Sequence, residues 1–108
     1  MGKALTFSNH LYLGEGIKCE KLDKLKKDLI NSPLFTKVFL ITISTSPLDQ
    51  LDILESKYLT YPYYNTHALH VVGLANSNNE AINLIQTIVQ DCLDQQGNVD
   101  LKSFLLKE

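Results

Sequence analysis

The chain has 108 residues, 44% of them hydrophobic and 20% charged, and a formal net charge of −2. That length suits a single domain over 1–108, and the composition supplies one hydrophobic core and excludes an intrinsically disordered chain. All ten basic residues are lysine, and with no arginine fork and a negative balance the sequence argues against a nucleic-acid partner.

No apolar run approaches the roughly 18 residues of a membrane helix, so no membrane partner is expected. The start, MGKALTFSNHLYL, shows no long apolar stretch followed by small cleavage-site residues, which predicts a cytoplasmic location. Met1-Gly2-Lys3-Ala4-Leu5-Thr6 formally matches a myristoylation pattern. Residues 4–7 read as strand, however, and acylation there is disfavoured. Charge is unevenly spread: residues 1–46 hold seven lysines against four acids, a surplus of three, and residues 47–108 hold three lysines against eight acids, a deficit of five.

In chain order, residues 4–13 (ALTFSNHLYL) read as a strand whose alternation is interrupted at Asn9 and His10, which predicts a bulge or two short strands. Gly14 and Gly16 close it with a turn. A helix over about 18–32 follows, with Leu22, Leu25, Leu29 and Ile30 as a narrow apolar stripe. Its lysines alternate with Glu20, Asp23 and Asp28, the pattern of a solvated helix face rather than a binding patch. Asn31, Ser32 and Pro33 end it.

A second strand is expected over 37–44. Ser46-Pro47-Leu48-Asp49 then reads as a helix start, with a serine cap, proline at the first position and a carboxylate near the free amides. Leu48, Leu51, Leu54 and Tyr58 would share a face of that helix. Segment 58–66 is irregular around Pro62. A third strand is expected over 68–75, and Ser77-Asn78-Asn79-Glu80 forms a capping box that opens a helix over 78–96. Gly97 suits the left-handed residue ending that helix, and 99–106 fits either a short docking helix or an edge strand.

The plan of apolar strand, short polar loop and amphipathic helix occurs twice, in 37–51 and 68–85. A strand apolar on both faces needs cover on both sides. The expected fold is therefore an α/β, three-layer βαβαβα domain with a mainly parallel sheet of three or four strands, the first three in the order 2-1-3. A ferredoxin-like α+β arrangement competes if residues 4–13 fold into a hairpin.

In that fold the loops after strands two and three share one sheet edge, where α/β proteins commonly bind ligands. Ser44, Thr45 and Ser46 in the first loop, with Thr42 beside them, and Gly73, Asn76 and Ser77 in the second, are the candidate binding residues for an anion or small ligand. The strand–serine–helix junction resembles that of anti-sigma-factor antagonist domains, although their Asp-Ser-Xaa-Gly-Leu signature is absent. One glycine does not make a nucleotide motif, and no cofactor is expected.

His67 and His70 stand three apart, on opposite faces of a strand, so they do not form a metal pair. Cys19 and Cys92 have no CxxC spacing and predict a reduced pair in helices, with no metal site. An enzymatic reading would need His70 or His67 with a carboxylate such as Asp49 brought near by folding. No neighbouring nucleophile supports it, and the sequence leans away from catalysis. The least ordinary feature is aromatic: Tyr58, Tyr61, Tyr63 and Tyr64, four of five tyrosines, fall within seven residues. Tyrosine joins an apolar body to a water-tolerant hydroxyl and is enriched at interfaces. These four are the candidate interface. The first expectation is thus a non-enzymatic protein-interaction or oligomerisation module, with a homo-oligomer or a protein as partner. The alternative is a small-ligand or anion-binding domain.

Overall fold

A four-stranded sheet in the order β1-β4-β2-β3 organises the computed structural model, which describes residues 5–44, 49–63 and 68–106. The strands are β1 (Leu5–Leu13), β2 (Phe39–Ile43), β3 (Leu51–Glu55) and β4 (Leu69–Ala75). The helices named here are α1 (Leu22–Asn31), α2 (Pro33–Thr36), α3 (Asn78–Gln96) and α4 (Leu101–Leu105), with 3-10 turns at Cys19–Lys21 and Ser56–Thr60. The result is a small compact α+β domain with a mixed sheet.

The mixed sheet corrects the expected mainly parallel layout. Among the described strands only β1 and β4 pair in parallel, whereas β2 runs antiparallel to both β4 and β3. The cause is residues 51–55, expected in a helix and found as β3. Leu51, Leu54 and Tyr58 fit a helical stripe, but LDILE also fits a short strand, and short apolar runs do not distinguish the two. Pairing decides: Leu40 stands opposite Leu54 and Ile41 opposite Ile53, a match of apolar partners that a helix could not offer. The ladder extends past the strand ends through the Ser44 N–H to the Gln50 carbonyl (3.0 Å) and the Ser56 N–H to the Val38 carbonyl (2.8 Å). The proposed cap Ser46-Pro47-Leu48 lies outside the described residues. With a strand after it, the likeness to anti-sigma-factor antagonist domains lapses. Residues 5–13 form one strand and no hairpin, so the condition for a ferredoxin-like arrangement is not met either.

Helices cover both sheet faces. On one, Leu22, Leu25 and Leu29 of α1 pack with Leu40, Val71 and Leu74. On the other, Ala81, Ile88 and Cys92 of α3 and Leu101 and Leu105 of α4 pack with Ile41, Val72 and Ala75. Burial of apolar side chains on both faces is the main force holding the layers.

Two bulges adjust this packing. Phe7 pairs with Val71 but Tyr12 pairs with Gly73, so Ser8–Leu11 fall out of register at the interruption legible in the sequence. The bulge satisfies itself locally, the His10 N–H donating to Ser8 Oγ at 3.1 Å. It also disrupts an uncharged edge strand that would otherwise be a template for pairing. The second bulge lies in β4, where Ile41 faces Gly73 and Thr42 faces Val71, leaving Val72 extra.

The end of α3 follows the sequence closely, and the tail, open between helix and edge strand from sequence, is decided by the structure. α3 ends at Gly97, whose φ of 74° places it in the left-handed region, and the Cys92 thiol donates to the Asn98 carbonyl at 3.2 Å. The tail is a helix, capped by Asp100, which accepts from the Ser103 N–H at 3.2 Å. The Gln50 side chain accepts from the Leu101 N–H and ties this helix to the β2–β3 hairpin.

Candidate functional site

The parallel pair frames one candidate site among the described residues. β1 and β4 end side by side, and the helices that follow them leave to opposite faces, α1 to one and α3 to the other. Such a divergence opens a crevice at the carboxyl ends of the strands.

Here the crevice is cross-tied by side chains. Asn76 Nδ2 donates to the Gly16 carbonyl at 2.7 Å. Glu80 Oε1 accepts from the Asn76 N–H at 3.0 Å and the Gly16 N–H at 3.3 Å. Ser77 caps α3 as predicted, accepting from the Glu80 N–H at 3.1 Å. The glutamate departs from the reciprocal box: it reaches the residue before the cap and the neighbouring loop, not the serine amide. A Cβ at Gly16 would lie 2.2 Å from Asn76 Nδ2, so a larger residue there would displace the Asn76 side chain from the tie. Replacing Glu80 with alanine strips the acceptor from both amides and is expected to cost about 1–2 kcal/mol in urea unfolding, with Glu80→Gln losing less. Equal stability of all three proteins would show that the tie contributes nothing.

Clefts of opposite character flank the tie. One, of about 300 Å3, is walled by Lys18, Lys21, Lys24 and Asn76 over Ile17, Leu25 and Val38. The other, of about 400 Å3, carries the carboxylates Glu15 and Glu80 beside Ser77, Asn79 and Asn83.

The described residues of the two loops singled out from sequence lie at opposite ends of the sheet. Because β2 is antiparallel to β4, Ser44 stands level with the amino end of β4, about 20 Å along the sheet from Asn76 and Ser77. Ser44 is buried and its amide closes the hairpin, and Thr42 is buried in β2. Thr45 and Ser46 lie outside the described residues. Gly73 is packed rather than open: a Cβ there would meet Ile41 Cδ1 at 3.0 Å and the Tyr12 carbonyl at 3.3 Å. Of the four described candidates, only Asn76 and Ser77 sit at the crevice. The partner loop that sequence reasoning missed is Gly14–Lys18, whose signal was a Gly-Glu-Gly turn directly after the first strand.

The tyrosine segment is divided. Tyr58 is half-buried, with Tyr61 set edge-on to it at 5.2 Å between centroids and the Lys57 ammonium 5.3 Å from its ring. Tyr61 and Tyr63 keep 52% and 50% of their surface exposed. Tyr64 lies outside the described residues. α2 packs against the 3-10 turn that leads into these tyrosines and presents Leu34 and Phe35, exposed by 53% and 78%. No reading of the sequence marked Leu34-Phe35; its signal was an apolar pair in a segment too short to bury it.

A third cleft, of about 370 Å3, lies by the β1 bulge, where Tyr12 Oη donates to Asp91 Oδ2 at 2.8 Å and the His10 ring sits edge-on to Tyr12 at 5.6 Å. Burial, followed by the hydrogen bond and charge of Asp91, pushes the Tyr12 phenol well above its usual range. It therefore stays protonated as a donor that ties β1 to α3.

His70 is half-buried, with Nδ1 2.8 Å from Thr6 Oγ1 across the parallel pair. His67 lies outside the described residues, and Asp49 is exposed before β3. Cys92 is buried in α3 and Cys19 is exposed on a 3-10 turn, not in α1. Among the described residues no group of three His, Cys, Asp or Glu side chains is placed to hold a metal ion, and no helix is long and apolar enough to cross a membrane. The fold and site thus define a small α+β domain with a helix-flanked mixed sheet and one parallel crevice. Comparison with protein-family models, curated sequences and solved structures finds no significant match to this chain.

Proposed function

We propose that this protein is a non-enzymatic protein-interaction module that self-associates through the surface formed by α2 and the tyrosine segment. The observation that carries this reading is the exposure of four large apolar or aromatic side chains, Leu34 and Phe35 on α2 and Tyr61 and Tyr63 just after the 3-10 turn against which α2 packs. Single exposed hydrophobes are ordinary, but aromatic residues grouped on one surface mark contact sites. Lys57 beside Tyr58 gives that surface a polar margin, the usual composition of an interface rim. A second copy is the simplest partner, because a two-fold axis through the patch would cover both sets of aromatics at once.

The test is solution mass by light scattering across a concentration series, wild type beside Phe35→Ser/Tyr61→Ser. The wild type is expected to dimerise, and the double variant to associate at least about tenfold more weakly. Both side chains are exposed, so the variant's circular dichroism should match the wild type. A wild type that stays monomeric at the highest concentration, or a dimer unchanged in the variant, overturns the proposal.

A further inference from the structure

We infer that the lysine-walled cleft at the carboxyl ends of β1 and β4 binds a small anion with an apolar body, a phosphate or carboxylate of modest size. The inference stands on the cleft and not on self-association.

Three independent features converge there. The first is topological: the cleft opens beside the one parallel pair among the described strands, where the chain diverges to opposite faces. The second is electrostatic. Lys18, Lys21 and Lys24 line the cleft with a single carboxylate, Asp28. That carboxylate is held by Lys24 at 2.9 Å, while Lys18 and Lys21 have no ion-pair partner among the described residues. The protein as a whole is net negative, so two uncompensated ammonium groups at one cleft run against its average and favour an anion. The third is chemical: Ile17, Leu25 and Val38 make an apolar floor, and the Asn76 amide stands at the wall.

A floor of aliphatic side chains with convergent polar groups at the rim is the ordinary composition of a small-molecule site, and about 300 Å3 lies at the small end of such sites. Lysine binds phosphate or carboxylate as a mobile point charge, so the site selects charge and apolar contact more than a fixed geometry. The acidic cleft on the other side of the Asn76–Gly16–Glu80 tie carries Glu15 and Glu80, which repels the same ligand and confines it to the lysine side. The sequence alone showed these lysines as a solvated helix face. What changes the reading is that folding brings three of them over an apolar floor beside Asn76, a residue from the far end of β4.

The test is an amide chemical-shift titration of the full chain with phenyl phosphate, benzoate, inorganic phosphate and uncharged benzyl alcohol. Phenyl phosphate or benzoate is expected to shift the amides of Gly16, Ile17, Lys18 and Asn76 saturably. Inorganic phosphate lacks the apolar contact and benzyl alcohol lacks the charge, so both should bind more weakly. Lys18→Gln/Lys21→Gln should weaken phenyl phosphate about tenfold, and added salt should weaken it in the wild type. Both lysines are exposed, so the variant should fold as the wild type does. Non-saturating shifts, shifts spread over all lysine-bearing surfaces, or unchanged affinity in the double variant overturn the inference.

Discussion

Gly73→Val is expected to destabilise the protein by about 3 kcal/mol, enough to lower the melting temperature of a domain this size by roughly 15 °C. Gly73 is fully enclosed in the β4 bulge, between Ile41 on β2 and the backbone of β1 at Tyr12. A single Cβ would already stand 3.0 Å from Ile41 Cδ1 and 3.3 Å from the Tyr12 carbonyl. The methyl end of Ile41 can rotate aside, but the Tyr12 carbonyl belongs to the sheet and cannot. Alanine should therefore cost about 1 kcal/mol, and valine, with two further methyls in the same space, substantially more. Urea unfolding of the three proteins measures this directly. A valine variant melting within about 2 °C of the wild type would show that the bulge has room, and would reopen a ligand role for Gly73.

Leu40→Ala should cost about 3–4 kcal/mol, because Leu40 is fully buried in an inner strand and its loss leaves a cavity against α1. Leu54 on the edge strand is only half-buried, and Leu54→Ala should cost about 1–2 kcal/mol. The decisive quantity is their coupling. Leu40 and Leu54 are cross-strand partners in the β2–β3 hairpin, and the double variant should show about 0.5–1 kcal/mol of non-additivity. Strictly additive losses would mean that the two side chains do not meet, and the hairpin register would fall with them.

The expectation that the two strand-end loops share one sheet edge illustrates how sound local readings can assemble differently in space. Ser77 does cap α3 and Gly97 does end it, since capping depends on residues within one turn of each other. The positions of β1, β2 and β4 were also legible, because apolar runs bounded by glycine, proline and polar clusters are local signals. The bulge at Asn9 and His10 left its mark as a broken alternation.

What failed was the segment 51–55, where the spacing of Leu51 and Leu54 satisfies a helix and the alternation of LDILE satisfies a strand. Only the partner strand, whose paired residues lie eight to sixteen positions earlier in the chain, resolves that ambiguity. Once β3 turns back on β2, the direction of β2 relative to β4 is reversed. Ser44 then moves to the opposite end of the sheet from Asn76, and Gly14–Lys18 takes its place at the crevice.

The sequence by itself determined most of the local structure: that β1, β2 and β4 are strands, where α3 begins and ends, and that both sheet faces need cover. These follow from side-chain periodicity and from hydrogen bonds between near neighbours. Strand order, the direction of β2, the meeting of Lys18, Lys21 and Asn76, and the exposure of Phe35 beside the tyrosines were decided only by the tertiary structure. Each depends on which distant segments share backbone hydrogen bonds and buried area, and hydrophobic pattern assigns faces to strands without assigning their neighbours.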